Sequence, residues 1–134
     1  MNPPPDAPRV LVVDDDPPTA RLLEVALRRT RAKVVTHHRA FGVLDAVAVH
    51  RPVVVVLDVM MPGLDGPSLV ELLRADRDLA KTRVVLWSAL DLDDLTRRGE
   101  RCGADGVLEK VRGPRAAVDQ ICAWLLDWDA LDLR

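Results

Sequence analysis

Residues 51–66 read RPVVVVLDVMMPGLDG and contain the clearest strand of the chain. The apolar run at 53–57 predicts a strand that is buried on both faces, as strands are in a parallel sheet covered by helices. Asp58 ends this run, and the segment MMPGLD after Val59 can neither extend the strand nor begin a helix before Gly66. The pattern therefore predicts one carboxylate at the point where the chain leaves the sheet.

Strands and helices alternate on both sides of this segment. We predict strands at 9–13, 34–36, 53–57, 83–87 and 106–109, and helices that follow Asp16, Arg39, Gly66, Asp91 and Gly113. Asp16 is the predicted N-cap of the first helix, and Leu69, Leu72 and Leu73 are the predicted buried face of the third. Five such units with apolar strands predict a doubly wound α/β domain with a parallel sheet and helices on both faces.

Composition limits the kind of protein this can be. The 134 residues are 49% hydrophobic and 30% charged, which is typical of one globular domain, and the net charge of -2 with mixed acids and bases argues against direct binding of nucleic acid. The longest apolar run is too short to cross a membrane, so we expect a cytoplasmic protein. Cys102 and Cys122 have no metal-ligand or CxxC spacing and are predicted to be free thiols. We expect a disordered lead-in at 1–8, the domain at 9–126, and a helix extension or the start of a linker at 127–134.

Polar residues follow four of the five predicted strands, and the carboxyl ends of parallel strands are where such folds bind ligands. They are Asp14, Asp15 and Asp16 after the first strand, Asp58 after the third, Ser88 after the fourth and Lys110 after the fifth. Converging carboxylates repel one another unless a divalent cation or raised pKa values relieve them, and a site made of oxygens without cysteine suits Mg²⁺. With a hydroxyl and an ammonium added, this set could form an aspartyl phosphate.

Four segments in this order resemble the response-regulator receiver domain, the CheY-like family of two-component signalling: VLVVDDD, VVLDVMMPGLDG, VVLWSAL and GADGVLEK. The resemblance covers residues 10–110 and implies a five-stranded flavodoxin-like sheet of order 2-1-3-4-5. It also implies that a histidine kinase or phosphotransfer protein phosphorylates the chain, which then signals through contact with a downstream protein and is not itself an enzyme in the ordinary sense.

The same resemblance implies a role for each residue of the site. Asp58 corresponds to the phosphoacceptor, Asp14 and Asp15 to the acidic pair that holds Mg²⁺ together with Asp58, and the backbone carbonyl of Met60 to a further metal ligand. Ser88 and Lys110 correspond to the hydroxyl and the ammonium that contact the phosphoryl group.

Two positions depart from the family pattern. Val107 stands where the family usually has the aromatic residue of its conformational switch, and Val111 follows Lys110 where a proline in a cis peptide bond is common. Since a cis bond before a residue other than proline costs about 3 kcal/mol, we expect a trans bond and a rearranged loop. These departures motivate an alternative, a pseudo-receiver that acts without phosphorylation. A phosphatase that uses Asp14 and Asp16 is a weaker alternative, because it leaves Asp58 unexplained.

Other features are open to a structural or a functional interpretation. His37 and His38 are predicted to be solvated and remote from the acidic residues, and Trp87 to lie in the core near Ser88. The apolar stripe of Trp124, Trp128 and Leu131 predicts either a helix end that folds onto its own domain or a contact with a partner or a second copy. Because about eight residues follow 126, we expect either a stand-alone regulator or the N-terminal piece of a longer chain.

Overall fold

The computed structural model describes residues 7–64 and 66–132. The described strands are β1 Arg9–Val13, β2 Lys33–His37, β3 Val54–Asp58, β4 Arg83–Ser88 and β5 Gly106–Glu109. The described helices are α1 Pro17–Arg28, α2 Val43–His50, α3 Gly66–Ala75, α4 Leu92–Cys102 and α5 Gly113–Asp132, with a short 3-10 turn at Lys110–Arg112. Residues 1–6 of the predicted lead-in lie outside the described residues, and the Pro8 carbonyl accepts a hydrogen bond from the Lys33 N–H at 2.9 Å.

The strands form one parallel sheet in the order β2-β1-β3-β4-β5, which confirms the predicted fold class. Val13 lies opposite Leu57 in this sheet, Asp58 lies opposite Trp87, and Ser88 lies opposite Glu109. Because all strands run in the same direction, their carboxyl ends meet at one edge. The residues that follow β1, β3, β4 and β5 are therefore brought to the same side of the molecule.

The central strand β3 supplies both faces of the core. Val54 and Val56 pack in a cluster with α1 and α5 residues such as Leu23 and Ile121, whereas Val55 and Leu57 pack in a second cluster against α2, α3 and α4. All five β3 residues are buried, whereas Val53, which was predicted to belong to the buried strand, precedes it and is 40% exposed. The uninterrupted apolar pattern of this strand has the physical cause that the sequence predicted, since alternate side chains enter two different apolar layers.

The helix after Gly66 differs from its prediction at one position. Leu69 and Leu73 are buried as expected, but Leu72 is 54% exposed and Val70 is buried in its place. Neighbouring helical residues are separated by about 100°, so the apolar face of α3 extends from Leu73 toward Val70 and leaves Leu72 outside. The prediction for Leu72 was wrong because the helical stripe is compatible with either flank.

The last helix continues to Asp132 and folds onto its own domain. Trp128 is 9% exposed and stacks on Trp124 with 5.8 Å between ring centroids, while the Arg83 guanidinium carbon lies 5.3 Å from the Trp128 ring centroid. A Cβ on Gly106 would lie 2.6 Å from a Trp124 ring atom, so β5 and this ring are in close contact. This arrangement favours the first interpretation of the tryptophan stripe; the Leu131 side chain lies outside the described residues.

No helix in the described part of the chain is long and apolar enough to cross a membrane.

Candidate functional site

Three carboxylates meet at the carboxyl edge of the sheet. Asp14 directly follows β1 and is 0% exposed, Asp58 is the last residue of β3 and is 4% exposed, and Asp15 is exposed. One carboxylate oxygen from each of the three lies within 4.8 Å of the others. The structure therefore brings together the three aspartates that the sequence singled out, two of them in a buried environment.

Backbone amides fix the two buried carboxylates. Asp14 Oδ1 accepts a hydrogen bond from the Asp16 N–H at 2.9 Å, and Asp58 Oδ1 accepts one from the Met60 N–H at 3.0 Å. Each carboxylate is thus held by the amide two residues ahead, in the turn that ends its strand. Asp16 is at the N-cap of α1 as predicted, although its carboxylate contacts the Thr19 hydroxyl and makes no cap bond to a backbone amide.

Lys110 joins the two buried carboxylates. Its Nζ lies 2.8 Å from Asp14 Oδ2 and 3.3 Å from Asp58 Oδ2, and its side chain is 20% exposed. The peptide bonds of the described residues are all trans, including the one between Lys110 and Val111, and the 3-10 turn carries the chain from Lys110 into α5. The expected trans loop is confirmed, and it leaves the ammonium within reach of both acids.

Burial and charge set the protonation of this group of residues. Burial raises the pKa of the Asp58 carboxyl; the Met60 N–H and the Lys110 ammonium lower it, and the Asp14 carboxylate raises it again, so that the net shift is upward. Burial lowers the pKa of Lys110, but its contacts with Asp14 and Asp58 raise it by more. The lysine is therefore a firmly protonated cation beside a carboxylate that is harder to ionise than usual.

Ser88 lies at the end of β4, and Val107, which stands where the family usually has an aromatic residue, lies in β5. Ser88 is fully buried, and its Oγ accepts a hydrogen bond from the Leu90 N–H at 3.1 Å. Val107 packs so closely against α4 that a Cβ on Gly99 would lie 2.8 Å from Val107 Cγ1. Helix α4 thus approaches β5 at a glycine, with a valine filling the space between them.

His38 lies nearer to the acidic residues than the sequence indicated. Its Nδ1 is 3.1 Å from the Asp14 carbonyl oxygen, within hydrogen-bond distance, and the His37 carbonyl accepts the Asp14 N–H at 3.0 Å. The prediction that the pair is remote from the acidic residues was wrong, because β2 borders β1 and its last residues flank the Asp14 turn, whereas His38 is exposed to solvent as predicted. The predicted strand order 2-1-3-4-5 already has β2 beside β1, so the proximity of the histidines to Asp14 could have been predicted from it.

Trp87 lies where the sequence predicted it, in the core and next to the site. Its side chain is buried, and the Lys110 Nζ is 5.8 Å from its ring centroid. Its fluorescence should therefore respond to a change in charge around Lys110.

The acidic cluster of Asp14, Asp15 and Asp58 presents oxygen donors to a metal ion. The cluster offers carboxylate oxygens from Asp14, Asp15 and Asp58 and contains no sulfur or imidazole donor. Hard oxygen donors of this kind suit Mg²⁺, which is commonly held by one or two carboxylates and several waters. The donor set of the described residues therefore fits this cation.

A doubly wound sheet whose carboxyl edge joins buried acids, a hydroxyl and a lysine defines a class of small domains that handle phosphoryl groups. The family model described as "Response regulator receiver domain" matches residues 10–121. The chain belongs to this family. Receiver domains are signalling domains, are typically phosphorylated by histidine kinases, and bind Mg²⁺ at an acidic cluster such as the one described above.

Known proteins agree with this assignment. The chain is 32% identical over 131 residues to the sensor protein GacS of Pseudomonas syringae pv. syringae, covering 96% of this chain and 14% of that protein. It is 35% identical over 117 residues to the DNA-binding response regulator MtrA of Mycolicibacterium smegmatis, covering 87% of this chain and 50% of that protein. The chain thus spans half or less of the length of these relatives.

A solved structure supports the same fold. The BeF3-activated N-terminal receiver domain of Klebsiella pneumoniae RstA superposes with a TM-score of 0.75 at 27% identity, and the match covers 86% of this chain and 96% of that one.

Proposed function

We propose that this chain accepts a phosphoryl group on Asp58 and transmits the signal through contact with another protein. The contact of one ammonium, that of Lys110, with the buried carboxylates of both Asp14 and Asp58 carries this proposal. A purely structural ion pair would need one acid, whereas two buried acids around one cation leave a negative charge that a metal ion can balance.

In the proposed reaction an Asp58 carboxylate oxygen attacks the phosphorus of the donor. A bond from this oxygen to phosphorus forms, while the bond from phosphorus to the donor's leaving atom breaks and its electron pair departs with the donor. The Lys110 ammonium can donate hydrogen bonds to the phosphoryl oxygens. The Ser88 hydroxyl, whose oxygen already accepts the Leu90 N–H, keeps its own proton to donate.

Mg²⁺ belongs to the same proposal. Asp14, Asp15, Asp58 and the backbone carbonyl of Met60 would hold the ion, which when bound neutralises charge on the phosphoryl oxygens. The chain's own part is to keep Asp14 and Asp58 fixed through the amides of the following turns, so that little reorganisation is needed when the ligands assemble.

A protein phosphodonor, a histidine kinase or a phosphotransfer protein, must reach Asp58 from the carboxyl edge of the sheet. Helix α1 begins at this edge and exposes Leu22 and Val25, three residues apart on one helical face, with side chains 60% and 45% exposed. We propose this face as part of the donor's contact surface. We further propose a cytoplasmic location and a downstream protein rather than nucleic acid or membrane as the output partner.

Two alternatives remain within the family. One is a pseudo-receiver that acts without phosphorylation, which is motivated by Val107 in place of an aromatic residue and by Val111 in place of a proline. A homodimer through the C-terminal helix is the other, and because Trp124 and Trp128 pack onto their own domain it would have to use residues such as the exposed Leu126. A mass at the monomer value across protein concentrations would contradict the dimer.

The test is a titration of Trp87 fluorescence with beryllofluoride and Mg²⁺ in the variant Trp124→Phe/Trp128→Phe, which leaves Trp87 as the only indole. We expect a saturable change that requires Mg²⁺ and that is lost in the same background with Asp58→Asn. An equal change in the Asp58→Asn protein, or none in either protein, would favour the pseudo-receiver.

A further inference from the structure

A cleft separate from the acidic site opens between the segment after β3 and helix α4. Its volume is about 470 Å³, within the range of small-molecule sites. Its lining residues are Val59, Leu64, Gly66, Leu86, Arg98, Arg101 and Cys102.

The cleft combines an apolar floor with a basic rim. Leu86 belongs to the central strand β4 and is 1% exposed, so the cleft reaches down to the sheet, and Val59 and Leu64 add apolar wall. Arg98 and Arg101 lie one turn apart on α4 and are exposed. No acidic side chain of the described residues lines the cleft, and within the described part of the chain neither arginine has an ion-pair partner.

The neighbouring arginine on α4 behaves differently. Arg97 Nη2 lies 3.9 Å from Asp94 Oδ1, so its charge is partly balanced on the helix surface. It does not line the cleft. The two arginines at the rim thus differ from Arg97 both in position and in lacking a counter-charge among the described residues.

We propose that this cleft binds a small organic anion, a molecule with one carboxylate, sulfonate or phosphate on an apolar body. The apolar body would lie against Leu86 and Val59, and the anionic group would receive hydrogen bonds from the guanidinium groups of Arg98 and Arg101. The proposal does not rest on phosphorylation, because the lining includes none of the acidic residues; Val59, which does line the cleft, lies between Asp58 and Met60 in the chain.

The size and lining of the cleft favour a small molecule as its occupant. Its volume of about 470 Å³ is that of a small-molecule site, and its lining combines apolar wall at Val59, Leu64 and Leu86 with a small number of charged groups.

Two dyes that share an apolar body provide the test. The anion 8-anilino-1-naphthalenesulfonate and its neutral analogue N-phenyl-1-naphthylamine are titrated against the wild type, Arg98→Gln/Arg101→Gln and the control Arg97→Gln. We expect one saturable site for the anionic dye, weakened about tenfold or more in the double variant and unchanged in the control. Binding of the neutral dye should differ little among the three proteins.

A second measurement uses the two cysteines of the wild type and needs no variant. Cys102 lines the cleft, whereas Cys122 is on α5 in the opposite layer. The anionic dye should slow alkylation of Cys102 by iodoacetamide and leave the rate at Cys122 unchanged. Absence of saturable dye binding, equal affinity in the double variant, or equal effects on both thiols would overturn the proposal.

Discussion

Replacing Gly106 with alanine is expected to destabilise the domain, because the added methyl group meets the Trp124 ring. The new Cβ would lie 2.6, 2.7 and 3.1 Å from three ring atoms, and the stacking of Trp124 on Trp128 limits how far the ring can move. Overpacking of this kind costs about 1–3 kcal/mol. Removing a strand glycine returns about 0.5–1 kcal/mol. The expected net loss is about 1 kcal/mol in the free energy of unfolding.

Urea unfolding measures this loss as a lower midpoint. With a slope of about 1–3 kcal/mol per molar urea, a loss of about 1 kcal/mol lowers the midpoint by roughly 0.3–1 M. Gly66→Ala is the matched control: among the described residues, no atom outside the adjoining chain lies within 4 Å of the added Cβ, and Gly66 is the first residue of α3. We expect the control to be at least as stable as the wild type.

A double variant separates the ring contact from other effects of the alanine. Because Trp124→Phe provides a smaller ring, Gly106→Ala should cost less in that background than in the wild type, which is a non-additivity expected only for side chains in contact. If Gly106→Ala is as stable as the wild type, or if the two changes are additive, Trp124 does not pack on β5 and the C-terminal helix is available for partners.

Three further predictions concern the acidic site. Lys110→Met should slow phosphorylation by acetyl phosphate about a hundredfold, because it removes the cation that we propose to contact the phosphoryl group. Arg112→Gln, which alters an exposed pair, should not slow it, and equal rates in the two variants would contradict the role of the lysine. In metal-free buffer, Asp58→Asn should become more stable relative to the wild type as the pH rises above about 3.8. The folded-state pKa of Asp58 is raised, so ionising this carboxyl in the wild type costs folding free energy that the variant does not lose. Urea unfolding at several pH values measures the difference in stability, and a difference that does not change with pH would contradict the prediction. The aspartyl phosphate should last minutes to hours rather than seconds, because the Met60 and Leu90 side chains cannot orient a water molecule; the decay of the phosphorylated mass measures this lifetime.

The sequence predicted the fold and the composition of the site for a simple physical reason. Strands with apolar residues at successive positions must be covered on both faces, and parallel strands end at one edge. These two facts bring Asp14, Asp58, Ser88 and Lys110 to the same region without any knowledge of side-chain positions. The contact of Lys110 with both buried acids then depends on the length of one lysine side chain.

The features that escaped prediction depend on close approaches between residues distant in the chain. The contact of His38 with the Asp14 carbonyl follows from the pairing of two strands, and the packing of Val107 against Gly99 follows from the distance between a helix and a strand. The predicted burial of Leu72 was wrong for a related reason, because periodicity defines a helical stripe but not which flank of the stripe meets the sheet. Local patterns do not encode these distances.

The most direct test of the central proposal is the intact-protein mass after incubation with acetyl phosphate and Mg²⁺, with wild type and Asp58→Asn measured side by side. Both proteins retain Asp14, Asp15 and Lys110, so they differ only at the predicted acceptor. We expect the wild type to gain one phosphoryl group and the variant to gain none. A wild type that gains none, or a variant that gains as much as the wild type, would contradict phosphorylation at Asp58.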